Sequence, residues 1–288
     1  MKKLLSSIVV AGLLVTSSFA ADAKTENIKH NAVLKAENKA HDKKIIIEAI
    51  RALKYTQDAY IYLNAKKTDK AKESLKKAIG ELTVVLNTPN APYLLPVDVN
   101  MEAFEYVGSI KNIAKQITAA KVALAKSELP LARNILNTLK SEIDIKAVNI
   151  PLATYPDAIK LAIKYINEGK VKEAKDVIAM ALNTLVTTDT IIPIPLVKAN
   201  ELVIAASKIS HKNKQQTLKY LEEAKKQIKL AELLGYTSKS DTTYKMLKDS
   251  IDNIESKIKN NKKTDSFFEE LKSKLKEFKE KAVSIISK

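Results

Sequence analysis

Apolar residues return every three or four positions along most of this 288-residue chain, the spacing of helices with one buried face. The same pattern shows where helices reverse. In and just before "INEGKVKEAKDVIAMAL", Leu161, Tyr165 and Ile166 form one stripe, Ala174, Val177, Ile178 and Ala181 form another, and Gly169 stands between them. A glycine just past a helix end takes the left-handed conformation without Cβ strain, so Gly169 predicts a hairpin turn joining two antiparallel helices. "LAKSELPLARNILNTL" repeats the arrangement, with Leu124 before Ser127, Ala132, Ile135, Leu136 and Leu139 after it, and Pro130 in a first helical turn. "LNAKKTDKAKESLKKAI" does so again, with Leu63 before a turn at Lys66 to Asp69 and Ala71, Leu75 and Ala78 after it. In each, a small residue five positions past the turn lets the second helix sit close to the first.

These hairpins are tetratricopeptide-like but irregular. Ala71 and Ala132 are 61 residues apart and Ala132 and Ala174 are 42 apart, so no fixed repeat exists and a regular solenoid is not expected. Proline clusters at Pro89, Pro92 and Pro96, at Pro151 and Pro156, and at Pro193 and Pro195 separate the units. Two segments alternate apolar and other residues: "LLPVDVNMEAF" through Val97, Val99, Met101 and Ala103, and "IDIKAVNI" through Ile143, Ile145 and Ala147. They predict a minor two-stranded β element packed on the helices. The last third steps three, four, three, four through Tyr244, Leu247, Ile251, Ile254 and Ile258. After "NNKKTD" the same steps run through Phe268, Leu271, Leu275, Phe278, Ala282 and Ile285. This is a C-terminal helical hairpin whose seam packs within the chain, joins a second subunit, or lies on a membrane surface. Phe268, Leu271, Leu275, Phe278 and Ile285 are the candidate oligomer seam. The predicted fold is all-α: a compact bundle of αα-hairpins with this hairpin added.

At the start of the chain, Lys2 and Lys3 precede a short apolar run from Ile8 to Val15 and the small-residue site Ser18-Phe19-Ala20. This predicts a signal peptide over 1–20, cleaved near Ala20, and export, best to a periplasm. A run this short does not cross a hydrocarbon core of about 30 Å, and no later stretch is a membrane span. A polar N-terminal segment follows over 21–43. With no cysteine, disulfides, thiolate metal sites and cysteine nucleophiles are excluded.

Charge adds a question about partners. Of 49 basic residues, Lys2 and Lys3 leave with the leader, so the mature chain has 47 against 33 acidic, about +14. Only Arg51 and Arg133 are arginine, and aromatic residues are not interleaved with the lysines. Nucleic-acid readers favour the arginine fork and stacking platforms, so no nucleic-acid partner is expected. The excess predicts a solvated lysine coat, with weak attraction to anionic membrane surfaces or acidic partners as the alternative.

"LPVDVNMEAFEYVGSIKNIAKQITAAKVALAKSELPLARNILNTL", "IPLATYPDAIKLAIKYINEGKVKEAKDVIAMALNTL" and "YLEEAKKQIKLAELLGYTSKSDTTYKMLKDSIDNIE" occur in that order. They resemble the YfdX family of exported bacterial helical proteins. The likeness covers roughly Lys44 to Lys263, and it marks 44–263 as a YfdX-like helical domain followed by a C-terminal amphipathic helix over 264–288. The resemblance implies an all-helical, oligomer-forming periplasmic protein tied to acid and drug stress, chaperone-like or binding small molecules, with no established catalytic activity.

Residues that carry chemistry are sparse. His30 and His41 are eleven apart and His211 lies in "SKISHKNKQ", whereas ligands on one helix face are spaced by three or four. The acidic residues lie among lysines, and there is neither G-x-S-x-G nor a glycine-rich phosphate loop. No catalytic, metal or cofactor site is expected. Tyr93, Phe104, Tyr106 and Tyr155 lie in or near the segments that interrupt helices and either plug the core or line a shallow groove for an extended peptide or a small apolar molecule. The leading expectation is a non-enzymatic, stress-related binding or chaperone-like protein. The alternative is a structural protein that forms a homo-oligomer through its C-terminal heptads.

Overall fold

The structure, a computed structural model, describes residues 23–41, 46–238, 240–282 and 285–287. The predicted signal peptide and its expected cleavage site lie outside them. In chain order the described elements are α1 (Ala23–His41), α2 (Ile47–Asn64), α3 (Thr68–Leu86), β1 (Leu94–Phe104), α4 (Ile110–Ala125), α5 (Leu129–Asn137), β2 (Glu142–Pro151), α6 (Tyr155–Asn167), α7 (Val171–Asn183), β3 (Val186–Pro193), α8 (Ile194–Ile209), α9 (Lys214–Leu233), α10 (Tyr244–Lys259), α11 (Asp265–Ala282) and β4 (Ile285–Ser287).

A single grammar, helix, reversal, helix, strand, is used four times among the described residues; the fourth is α10–α11–β4, where Asn261 is left-handed (φ +52°) and Lys262 N–H donates to Lys257 C=O (2.8 Å). The reversals after α2, α4 and α6 share one geometry. The amide two residues past the turn's start closes on a carbonyl five residues back: Lys67 N–H donates to Tyr62 C=O (2.8 Å), Glu128 to Ala123 (2.8 Å) and Lys170 to Tyr165 (2.9 Å). The residue between is left-handed, with φ +58° at Lys66, +61° at Ser127 and +73° at Gly169. These are Schellman closures, which satisfy the last carbonyls of the first helix. The turn predicted at Gly169 and its counterparts at Lys66 and Ser127 are therefore present. Ala71, Ala132 and Ala174, five positions on, are at most 1% exposed.

The sheet is larger than the sequence predicts. β1 and β2 coincide with the two expected segments, but β3 and β4 join them in the order β1-β2-β3-β4, with the longer strands antiparallel. Pro96 lies within β1 and not in a loop. A proline is tolerated there because β1 ends the sheet and its proline nitrogen faces no partner strand. "VTTDTII" carries the β-branched run that forms β3.

The chain divides into two compact units and not one domain with a C-terminal appendage. Of the described residues, the first contains 46–100, 145–189 and 285–287. Here α2–α3 and α6–α7 form two hairpins, α3 packing on α6 and α2 on α7. Their core runs through Ala52, Leu75, Leu82, Tyr155, Ile159 and Ile178. Asn149 is buried in this unit; its Nδ2 donates to Ala147 C=O (3.0 Å), Val186 C=O (2.9 Å) and Thr188 Oγ1 (3.1 Å), tying β2 to β3.

Of the described residues, the second unit contains 23–41, 101–144, 190–238 and 240–282. α8 is apolar nearly all round, because α1, α9 and α11 all pack on it. The polar N-terminal segment predicted over 21–43 is helical from Ala23 to His41 and buries Thr25 and Ala32. α10 and α11 add Leu247, Ile251 and Ile254 and then Phe268, Leu271 and Leu275 to the same core. The segment 264–288 is thus part of this unit down to Ala282.

Candidate binding surface

The predicted oligomer seam closes the chain's own core. Phe268, Leu271, Leu275 and Phe278 are at most 2% exposed, and the Phe278 ring meets Tyr244 with centroids 4.8 Å apart. A heptad pattern records that a partner helix exists but not which chain supplies it, and here α8 and α10 supply it. α11 ends at Ala282, so Ile285 falls in β4 and not on the helix seam.

The four aromatic groove candidates do not act together. Tyr155 begins α6 and is fully buried, so it belongs to the core of the first unit and lines no open groove. Burial pushes its phenol up to about 12, with Thr56 offsetting part of the rise; the Thr56 hydroxyl itself donates to Ala52 C=O (2.8 Å). Tyr93 is 88% exposed in the loop before β1. Phe104 and Tyr106 belong to the second unit. Lys140 Nζ lies 5.0 Å from the Phe104 ring centroid, a cation–π contact. The Tyr106 hydroxyl covers Gly108, where a Cβ would come within 2.5 Å of it.

Titratable groups are dispersed. Tyr236 accepts a hydrogen bond from Ser141 N–H (3.0 Å), and burial beside the Glu142 carboxylate pushes its phenol far above the ordinary range. Tyr244 donates to Tyr236 C=O (2.6 Å) and is raised mainly by burial. Lys140 bridges Glu142 and Asp144 at 3.5 Å each, and Lys198 pairs with Glu105. His211 Nε2 meets Asp265 Oδ1 at 2.7 Å on the surface and holds that carboxyl below its usual range. Among the described residues no group of three or more His, Asp or Glu could hold a metal. An open, mainly apolar cleft of about 410 Å³ is lined by Ala23, Lys24, Asn27, Ile28 and Tyr220.

A further apolar surface is on the α4–α5 hairpin. Ser109 caps α4 by accepting from Asn112 N–H (3.3 Å), and Ser127 reverses the chain into α5. The two helices meet through a thin seam of Ile113, Ala120 and Ala123 with Ala132 and Leu139, all buried. Beside that seam, Ile110, Ile117 and Leu124 step by seven along α4, and Leu129 and Leu136 step by seven along α5. Positions seven apart are about two turns apart, so each set forms one line along its helix. Both lines lie four residues on from seam positions: Ile117 from Ile113, Leu124 from Ala120, Leu136 from Ala132. In an antiparallel pair, equal offsets fall on the same side of the hairpin, because reversing the axis and facing the partner each invert the sense of rotation. The result is one apolar face: Ile110 is 36% exposed, Leu124 48%, Leu129 58% and Leu136 46%. The hairpin is legible in the sequence, but apolar spacing alone groups Leu124 and Leu136 with its buried stripe. The seven-residue steps beside that stripe were the available signal.

These features define a mostly helical protein in which αα-hairpins alternate with the strands of one small sheet, and in which one hairpin leaves an apolar face open. The family model described as YfdX protein matches residues 52–191, from within α2 to within β3, so over that span the chain is similar to the YfdX family. A solved structure of Salmonella Typhi YfdX is similar at 16% identity with a TM-score of 0.39, covering 54% of this chain and 96% of that one. No curated protein matches.

Proposed function

We propose that this YfdX-like protein is an exported, non-enzymatic binding protein that holds apolar stretches of other polypeptides, or small apolar ligands, on a helical-hairpin surface. The observation that carries the reading is the open face of α4–α5, where four large aliphatic side chains are at least one-third exposed on one side of a hairpin. Contiguous exposed apolar surface marks an interaction site more often than it marks chance exposure. The lysine excess keeps such a surface soluble before and after it is occupied. The leader-like first twenty residues support export to the periplasm, where unfolding stress requires holding without nucleotide-driven cycles. Burial of Phe268, Leu271, Leu275 and Phe278 in their own unit favours this reading over a homo-oligomer built on the C-terminal heptads.

The test is light scattering from an aggregating client protein with and without the purified protein, at neutral and acid pH. Suppression of scattering near stoichiometric ratios is expected. No suppression at several-fold excess under either condition defeats the proposal.

A further inference from the structure

The cations on the same hairpin specify what it holds. Along α4, Lys121 lies four residues after Ile117 and three before Leu124; along α5, Arg133 lies four after Leu129 and three before Leu136. Each helix therefore sets one exposed cation at the outer margin of its apolar line, at an identical spacing. Arg133 is one of only two arginines in the chain. Behind these, Lys111, Lys115 and Lys126 add positive charge, and Glu128 is the hairpin's one carboxylate between Ile110 and Asn137.

None of these five cations is in an ion pair among the described residues. In α11, by contrast, three lysines are closed by carboxylates about one turn away: Lys272 meets Glu269, Lys274 meets Glu270 and Lys281 meets Glu277. The hairpin thus carries an open apolar face between two unneutralised margins. A second copy of this chain would bring like charge against like charge on that face, which opposes self-association.

We propose that this face receives an amphipathic helix whose apolar stripe is bordered on both sides by Asp or Glu. The apolar lines, at heptad spacing on two antiparallel helices, form the two walls of a groove that a third helix fills. Lys121 and Arg133 then meet the acidic borders of that helix, fixing its rotation and speeding its encounter. The inference rests on the hairpin being the binding surface of the function proposed above and adds the chemistry of the occupant.

The experiment is fluorescence anisotropy of labelled helical peptides of about three heptads, with leucine at the apolar positions and either Glu or Lys at the flanking ones. They are titrated with the purified full chain, and in parallel with vesicles of phosphatidylcholine and phosphatidylglycerol. The Glu-flanked peptide binds and the Lys-flanked peptide does not. Lys121→Glu with Arg133→Glu lowers affinity for the Glu-flanked peptide about tenfold and transfers the preference to the Lys-flanked one. Leu129→Ser with Leu136→Ser abolishes binding of the Glu-flanked peptide; Lys121, Arg133, Leu129 and Leu136 are all exposed, so circular dichroism stays unchanged. Equal binding of the two peptides, or an unaltered preference in the charge-reversed chain, overturns the proposal. Binding to the anionic vesicles without binding to the Glu-flanked peptide also overturns it, in favour of a membrane surface. Suppression of client aggregation without peptide preference leaves the holding function standing and removes only the acidic-helix occupant. Peptide binding without suppression does the reverse.

Discussion

Gly169 and Lys66 occupy equivalent positions in two Schellman closures, and exchanging their side chains tests the hairpin geometry quantitatively. At Gly169 the backbone is left-handed (φ +73°), and a Cβ placed there would have no neighbour within 4 Å. Gly169→Ala therefore adds conformational strain and no collision. A left-handed L-residue costs about 1–2 kcal/mol, and alanine recovers about 0.4–1 kcal/mol by restricting the unfolded chain. The expected net loss is about 0.5–1.5 kcal/mol. Lys66, at φ +58°, bears that strain already, so Lys66→Gly should gain up to about 1 kcal/mol by the same difference. Both residues belong to the first unit, so urea unfolding followed by circular dichroism reads both changes on one transition. With a slope of about 2 kcal/mol per molar urea, midpoints move in opposite directions by about 0.5 M. An unchanged midpoint for Gly169→Ala, or a lower one for Lys66→Gly, refutes the left-handed closure as the common turn.

Ala174→Leu should destabilise by about 1–3 kcal/mol in thermal melts, because Ala174 is fully buried where α7 closes on α6 and a larger side chain forces the helices apart. Val84→Ala, at an exposed position of α3, should change the melting temperature little. Tyr155→Phe should leave stability unchanged or raise it by up to about 1 kcal/mol, since the buried hydroxyl makes no hydrogen bond of good geometry among the described residues; a loss of more than that amount shows that the phenol is bound. Tyr155, Tyr236 and Tyr244 all have raised folded-state values, Tyr155 up to about 12, against about 10 when unfolded. Their contribution is complete below pH about 10 and is lost as pH rises through the folded values, so tyrosinate absorbance should lag and then appear together with unfolding. Gradual, independent titration of all ten tyrosines contradicts this.

The hairpins were legible because their signal is local. Apolar stripes, a turn residue and an alanine five positions on are all set within about twenty residues, and β1 and β2 follow from alternation in the same way. Gly169 is the clearest turn only because glycine is the residue that left-handed turns favour; Lys66 and Ser127 adopt the same conformation and are found by analogy with it. β3 was hidden by its flanking prolines, Pro193 and Pro195, which suggested a loop although "VTTDTII" is rich in β-branched residues. The division into two units depends on contacts between distant segments, which no local pattern records. The partner of the C-terminal seam was ambiguous for the same reason, since Phe268 and Leu271 have the same spacing whether α8 or another chain covers them. Tyr155 misled because a proline follows it: Pro156 marks the first turn of a buried helix instead of an exposed loop. The binding face was missed because Leu124 and Leu136 lie one helical step from the true seam, and a step that small separates buried from exposed.

The most direct measurement places a photo-crosslinking amino acid at Leu136 on α5 and, in a second chain, at Val84 on α3, and irradiates each during client unfolding. Both positions are exposed and apolar, but only Leu136 lies on the hairpin face. Capture of client from position 136 and none from position 84 is the predicted result. Equal capture at both positions, or capture at position 84 alone, contradicts the assignment of binding to α4–α5.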